Sequence, residues 1–240
     1  VLAIVALVGV SFVITWAIAR ALKLPGDEPV LLAAGFSICG VSAVGAMSAA
    51  RGSDPRDTGT PIALVTLYGT AAIAVLPALA VPLGLSAPTF GHWVGASVHD
   101  VGQVVATAGT AGAAALAVAI VVKLTRVLML APMVAVTSVS TRRRIASAPD
   151  GTAGSRPPIV PLFIVGFVAL VLARTFLPIP DAALAVADIV QSALLAAALF
   201  AIGASLRLER LLRSGPRALL AGALSWIAIL ALALLVALLT

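Results

Sequence analysis

The chain is short of charge, of cysteine and of histidine, and each shortage excludes something. Only 10% of its 240 residues are charged while 62% are hydrophobic, and the mean hydropathy is +1.19. Soluble domains carry about 25% charged residues. A water-soluble fold has too little polar surface here to cover its apolar bulk. One cysteine, Cys39, excludes an intrachain disulfide framework and a cysteine-cluster metal site. Two histidines and the absence of a Gly-rich phosphate loop, a zinc-spacing motif or a G-x-S-x-G elbow leave no cofactor, metal or ATP motif to build on. The net charge of +6 belongs to basic loops facing the cytoplasm, and no nucleic-acid-binding module accompanies it.

What is present is a series of apolar runs. They are too long and too unbroken for a β-barrel, whose strands alternate over about 10 residues. The reading is an all-α polytopic membrane protein in the lipid bilayer, one transmembrane domain over residues 1–240. Spans of about 20 residues fall near 1–19, 30–50, 61–83, 111–136, 159–176, 182–206 and 217–239. That makes about seven helices plus one short, glycine-rich element, 91–108, which either crosses as a broken helix or turns back. The chain begins at Val1 inside an apolar run, so the numbered sequence is expected to start partway through a longer protein.

The hydrophilic linker at 140–158 contains Arg142, Arg143 and Arg144 and reads as cytoplasmic, as does the basic loop from Arg207 to Arg217 two spans later. That puts Asp181 and Thr240 outside. In the N-terminal half Arg51 and Arg56 are offset by Asp54 and Asp57, and the answer depends on whether 91–108 crosses.

Two apolar stretches hold charges at bilayer depth, where each costs about 3 kcal/mol and usually faces protein or a wet cavity. One contains His99, Asp100 and Gln103; the next contains Lys123 and Arg126, which share a helix face at i, i+3. Either the two cations pair with Asp100 and Asp188, or they attract an anion, or they snorkel to an interface. His99 and Asp100, with Gln103, read either as a coupling or gating relay or as a polar plug. Asp188 and Gln191 read as a second wall of the same cavity. His92 and Trp93 are expected at a membrane interface, and Cys39 as a packing residue.

A 60-residue echo aligns Gly35, Ser37, Val41, Val44 and Ala46 with Gly95, Ser97, Val101, Val104 and Ala106. Both segments interrupt an apolar run with glycine and serine. That frees backbone groups at depth, a pattern that points to the substrate site of secondary transporters. Gly35, Gly40, Gly95 and Gly102 are the expected broken-helix positions. Ser37, Ser42 and Ser97, with Lys123 and Arg126, are the expected substrate ligands.

Three ordered motifs, Ile38–Ala43, Gly95–Val105 and Val122–Pro132, resemble the YeiH family of bacterial inner-membrane proteins, often labelled sulfate exporters. Asp100 stands where that family carries Glu, and Gly102 where it carries Ala. The resemblance covers the later part of the family's length and implies about three further N-terminal helices. It also implies a fold like part of the inverted-repeat bile-acid symporter and cation/proton antiporter type, with crossed broken helices. The function expected is secondary transport of a small anion such as sulfate, coupled to H+ or Na+; a homo-oligomer is compatible with it. The alternatives are a non-transporting scaffold or sensor, a passive channel, and an intramembrane enzyme, for which no nucleophile–base set is visible.

Overall fold

The computed structural model describes residues 2–146, 162–205 and 215–239. Every regular element among them is helical: α1 (Leu2–Ala21), α2 (Glu28–Ser37), α3 (Val41–Arg51), a 3-10 turn (Pro55–Thr58), α4 (Gly59–Ala80), α5 (Ala87–Ser97), α6 (Val101–Gly109), α7 (Ala113–Leu128), α8 (Leu130–Ala146), α9 (Leu162–Phe176), α10 (Asp181–Ser205) and α11 (Gly215–Leu239). Four stretches among the described residues are long and apolar enough to cross a membrane: α1, α4 with its preceding turn, α7 running into α8, and α11.

The expected span at 30–50 is not a span. It divides into α2 and α3, of 10 and 11 residues, each about 15 Å long and so able to reach only half of a bilayer. The two halves double back. Asp27, which caps the start of α2, accepts hydrogen bonds from Arg51 Nη2 (2.7 Å) at the end of α3 and from Ser53 Oγ (2.6 Å). Its own amide donates to Asp57 Oδ2 at 2.9 Å. Entry and exit of the hairpin are therefore tied together at one end of the bundle.

The element at 91–108 does the same from the other end. Gly91 lies against the backbone of Ala115, and Gly95 against Ala119 and Val122, so α5 and α7 run parallel in close contact. A side chain at either glycine would strike that backbone. Parallel neighbours must be joined by a segment that travels back, and α6 is that segment. The open choice is thereby decided: α5 and α6 form a re-entrant hairpin.

Packing orients the long helices around these two hairpins. Ala19 and Leu24 cluster with Ala218, Ala221 and Leu64, whereas Ile4 and Leu7 cluster with Ala233, Ala237 and Phe90. Thus α1 and α11 are antiparallel. The end of the bundle that holds the base of the first hairpin carries Arg20, Lys23, Arg51, Arg56, Arg142 and Arg217. The connections at the opposite end, residues 81–86 and 110–112, contain no charged residue. Most of the linker at 140–158, the loop residues 206–214 and Thr240 lie outside the described residues. The side chains described on α9 and α10 are largely exposed.

A re-entrant second hairpin places residues 81 and 111 on one side of the membrane. Single cysteines introduced as Val81→Cys and Ala111→Cys in the full-length protein, on a background lacking other reactive thiols, are expected to react with an impermeant maleimide from the same side. Arg56→Cys is expected to react from the other. Labelling of positions 81 and 111 from opposite sides would restore the crossing helix.

Candidate functional site

The two hairpin tips, residues 38–40 and 98–100, meet around two side chains of α7. Lys123 is fully buried and Arg126 is 1% exposed. A half-helix that stops at bilayer depth leaves its last carbonyls without amide partners or water, and here the two cations supply the donors. Lys123 Nζ donates to Ile38 O (2.8 Å) and Val98 O (3.0 Å), and also to His99 O. Arg126 Nε donates to Ser37 O (3.2 Å), Nη1 to Gly95 O (3.3 Å) and Val98 O (3.0 Å), and Nη2 to Phe36 O and Ser37 O (both 3.0 Å). An ammonium has three N–H donors and a guanidinium five. All of them are engaged by backbone carbonyls of the two hairpins.

This corrects two expectations. No carboxylate among the described residues lies in ion-pair contact with Lys123 or Arg126; the ion pair found is Arg51–Asp27, at the hairpin base. Asp188 and Gln191 are exposed on α10 and do not join the tips. The cations also have no donor free for an anion in this conformation. They act as a clamp on helix C-termini, where positive charge is favoured by the macrodipole.

The predicted serines divide in the same way. Ser37 Oγ donates to Ala33 O and Ser97 Oγ to Trp93 O, each at 2.7 Å, the same back-bond in the two echoing segments. Ser42 is exposed on the first turn of α3 and is not brought to the tips. Of the glycines, Gly40 alone makes a break: its φ of +75° is one that side chains disfavour, and it packs against His99. The second break has extended backbone at Val98 and Asp100 and needs no glycine. Gly35 and Gly95 sit inside α2 and α5 and permit close packing against α4 and α7 respectively, while Gly102 lies in the first turn of α6.

Asp100 and Gln103 form a capping box on α6. Gly102 N donates to Asp100 Oδ1 at 2.8 Å, and Asp100 N donates to Gln103 Oε1 at 3.2 Å. The shorter Asp suits this cap. By contrast α3 starts at Gly40 without a side-chain cap. His99 is fully buried, with its ring 4.4 Å from that of Phe36. Its Nδ1 lies 3.2 Å from Phe36 O. A carbonyl can only accept, so Nδ1 carries the proton, and Nε2 is left buried with no partner among the described residues. Cys39 is buried in the core, as expected. Trp93, expected at an interface, is instead 2% exposed and donates Nε1 to Leu230 O at 2.9 Å.

Sequence reasoning missed four polar residues near the tips. Ser11 and Thr15 on α1, and Ser225 on α11, are 2%, 0% and 0% exposed. Their hydroxyls, and the Trp226 indole nitrogen, are buried without a hydrogen-bond partner among the described residues. The available signal was a hydroxyl at i and i+4 on a single face of an otherwise apolar span.

A family model described as "Conserved hypothetical protein 698" matches residues 1–222. The chain belongs to this family. It is 42% identical over 194 residues to a UPF0324 membrane protein of Corynebacterium glutamicum, covering 81% of this chain and 55% of that one. It is 35% identical to a UPF0324 membrane protein of Agrobacterium fabrum, with 91% and 62% covered. A relative from Vibrio parahaemolyticus is 30% identical, with 94% and 71% covered. The chain thus spans a little over half to about two thirds of the length of these relatives. The resemblance carried by the three motifs holds at the level of this YeiH-like family of multi-pass membrane proteins. No solved structure matches.

The clamp predicts the effect of removing it. Lys123→Ala would strand two buried carbonyls, Ile38 O and His99 O, since Val98 O keeps Arg126 Nη1, at about 1–3 kcal/mol each before relaxation. The expected result is a loss of about 3–5 kcal/mol, seen as a collapse of folded full-length protein in fluorescence-detected size exclusion. Ser37→Ala, which removes one back-bond, is expected to cost under about 1 kcal/mol.

Proposed function

We propose that the protein is part of a secondary transporter for a small anion, with the paired hairpins as its moving gates. The observation that carries this reading is the meeting of two re-entrant hairpins, entering from opposite ends, at a positively charged centre in mid-bilayer. Hairpins of opposite orientation give each side of a membrane its own gate onto one site, the arrangement that alternating access requires. The 60-residue echo supports an inverted pair of repeats. Helix breaks follow Ser37 and Ser97, and the next helices start at Val41 and Val101. Each first half-helix runs parallel to the long helix that follows its hairpin.

Charge supports an anion. The C-termini of α2 and α5 bring about half a negative unit each to the tips, and the N-termini of α3 and α6 about half a positive unit each. These cancel. Lys123 and Arg126 then exceed the one nearby carboxylate, Asp100, leaving roughly one net positive charge in low dielectric. The coupling ion proposed is H+ or Na+, as the family resemblance implies, and His99, whose Nε2 is buried without a partner among the described residues, is the coupling residue proposed with it. Since K/R-rich ends lie inside, the end with Arg20, Lys23, Arg51, Arg56 and Arg142 faces the cytoplasm. That orientation has the first hairpin opening inward and the second outward. A scaffold or sensor is the second reading, favoured by the complete engagement of the Lys123 and Arg126 donors.

The test is radiolabelled sulfate flux in proteoliposomes of the full-length protein, with and without an imposed pH gradient. Saturable flux that responds to the gradient and falls at least about tenfold in His99→Gln is expected. Absence of flux for sulfate and for a panel of other small anions, in protein that remains monodisperse, would leave the scaffold.

A further inference from the structure

The clamp leaves no donor for a ligand, yet a set of unsatisfied donors lies beside it. Ser11 and Thr15 sit on the buried face of α1, between Val8 and Phe12, which pack with Ile38 and Cys39 at the first hairpin tip, and Ala19, which packs with Leu32 and Phe36. They are therefore level with the last turn of α2 and its tip. On α11, Ser225 lies between Ala221 and Gly222, which face Ala19 and Tyr68, and Ile229. The antiparallel register that groups Ala19 with Ala221 and Ile4 with Ala237 sets Ser225 level with Thr15. Trp226 follows, its ring 5.5 Å from Tyr68, which stands 6.2 Å from Phe36, whose ring in turn lies 4.4 Å from that of His99 at a tilt. The aromatic row connects the niche to the second hairpin tip.

Such groups have a cost that must be met. A buried hydroxyl without a partner forfeits the hydrogen bonds it made in water, and serine and threonine on a helix normally escape this by donating to the i−4 carbonyl. Ser37, Thr66, Ser97 and Thr107 in this molecule do so. Ser11, Thr15 and Ser225 do not, and the buried indole N–H of Trp226, next in sequence to Ser225, can only donate. Unmet donors of this kind mark the place of a partner that accepts.

We propose that Ser11, Thr15, Ser225 and Trp226 form the binding niche of a small oxyanion, between α1 and α11 at the level of the hairpin tips. This rests on the transport reading and relocates its site. Hydroxyl and indole donors offer a neutral hydrogen-bonding shell that no carboxylate among the described residues partners, and α1 packs against the first hairpin tip, which the Lys123–Arg126 pair holds. That combination selects an anion rich in acceptors. A sodium ion would instead need oxygen ligands where the indole presents a hydrogen. Lys123 and Arg126 act on the ligand through their field, while their own donors stay on the hairpins, so the gates need not unlatch for the anion to bind.

The experiment uses full-length protein with inorganic sulfate as probe, read both by proteoliposome flux and by the sulfate-dependent rise in melting temperature in detergent. Thr15→Val with Ser225→Ala removes two hydroxyls and preserves volume, and Trp226→Phe removes the N–H and keeps a ring. The expected result is a KM raised at least about tenfold and a melting-temperature response to sulfate lost in both variants. Ligand-free melting temperature should be unchanged or higher, because unsatisfied groups have gone. Wild-type KM and full thermal response in the variants would overturn the niche while leaving transport standing. Thermal response present in wild type, lost in the variants, but without flux would uphold the niche and sink transport. Wild-type protein with neither flux nor thermal response to any of sulfate, phosphate, nitrate or bicarbonate would overturn both. Should the double variant fail to fold, Trp226→Phe alone decides.

Discussion

Lys123 and Arg126 hold the centre of this protein, and they do so through backbone rather than through side chains. Two half-helices end in mid-bilayer, each leaving carbonyls that neither water nor a following turn can satisfy. Both ends converge on one helix, α7, whose two buried cations donate to the carbonyls and meet no carboxylate among the described residues. The arrangement is one-sided. Sixty positions earlier the echo aligns Ala63 and Thr66 with the two cations, so α4 supplies no such donors to its own hairpin. A single helix therefore fastens two elements that enter from opposite ends, and any movement of one tip is felt at the other through the same side chains.

That fastening sorts the buried polar groups into two populations. Around the clamp the polar groups are used: the cations donate to carbonyls, Ser37 and Ser97 donate within their own helices, and Asp100 Oδ1 and Gln103 Oε1 accept amides at the start of α6. On α1 and α11, hydroxyls and an indole are buried with no partner among the described residues. The first population builds the fold. The second has no structural reason to be polar, and it is there that a solute would find hydrogen bonds not already made. His99 belongs to both, with Nδ1 fixed on Phe36 O and Nε2 free of partners among the described residues.

Much of the centre was legible in the chain. Charges inside apolar runs named Lys123, Arg126, His99 and Asp100, since lipid tolerates them only where something else is near. The echo between Gly35–Ala46 and Gly95–Ala106 marked the two interrupted segments, but of the four glycines expected at the breaks only Gly40 stands at one. What could not be read was direction. A run of about 20 apolar residues spans a membrane whether it is one helix or two halves folded back. Asp27 meeting Arg51 and Ser53, and Gly91 lying against Ala115, are contacts across 24 residues and more that no local pattern encodes. The pairing of Asp188 with the cations failed for a related reason: spacing on one helix says nothing of which neighbour it faces, and α10 leaves that residue exposed.

By itself, then, the sequence determined the solvent, the helical class and the identity of the residues that could not be passive, because hydropathy and the cost of buried charge are properties of composition. Only the tertiary structure decided what those residues hold. The energy of a buried cation depends on which oxygen reaches it within about 3 Å, and that is a matter of how two hairpins meet, which side chains far apart in the chain settle together.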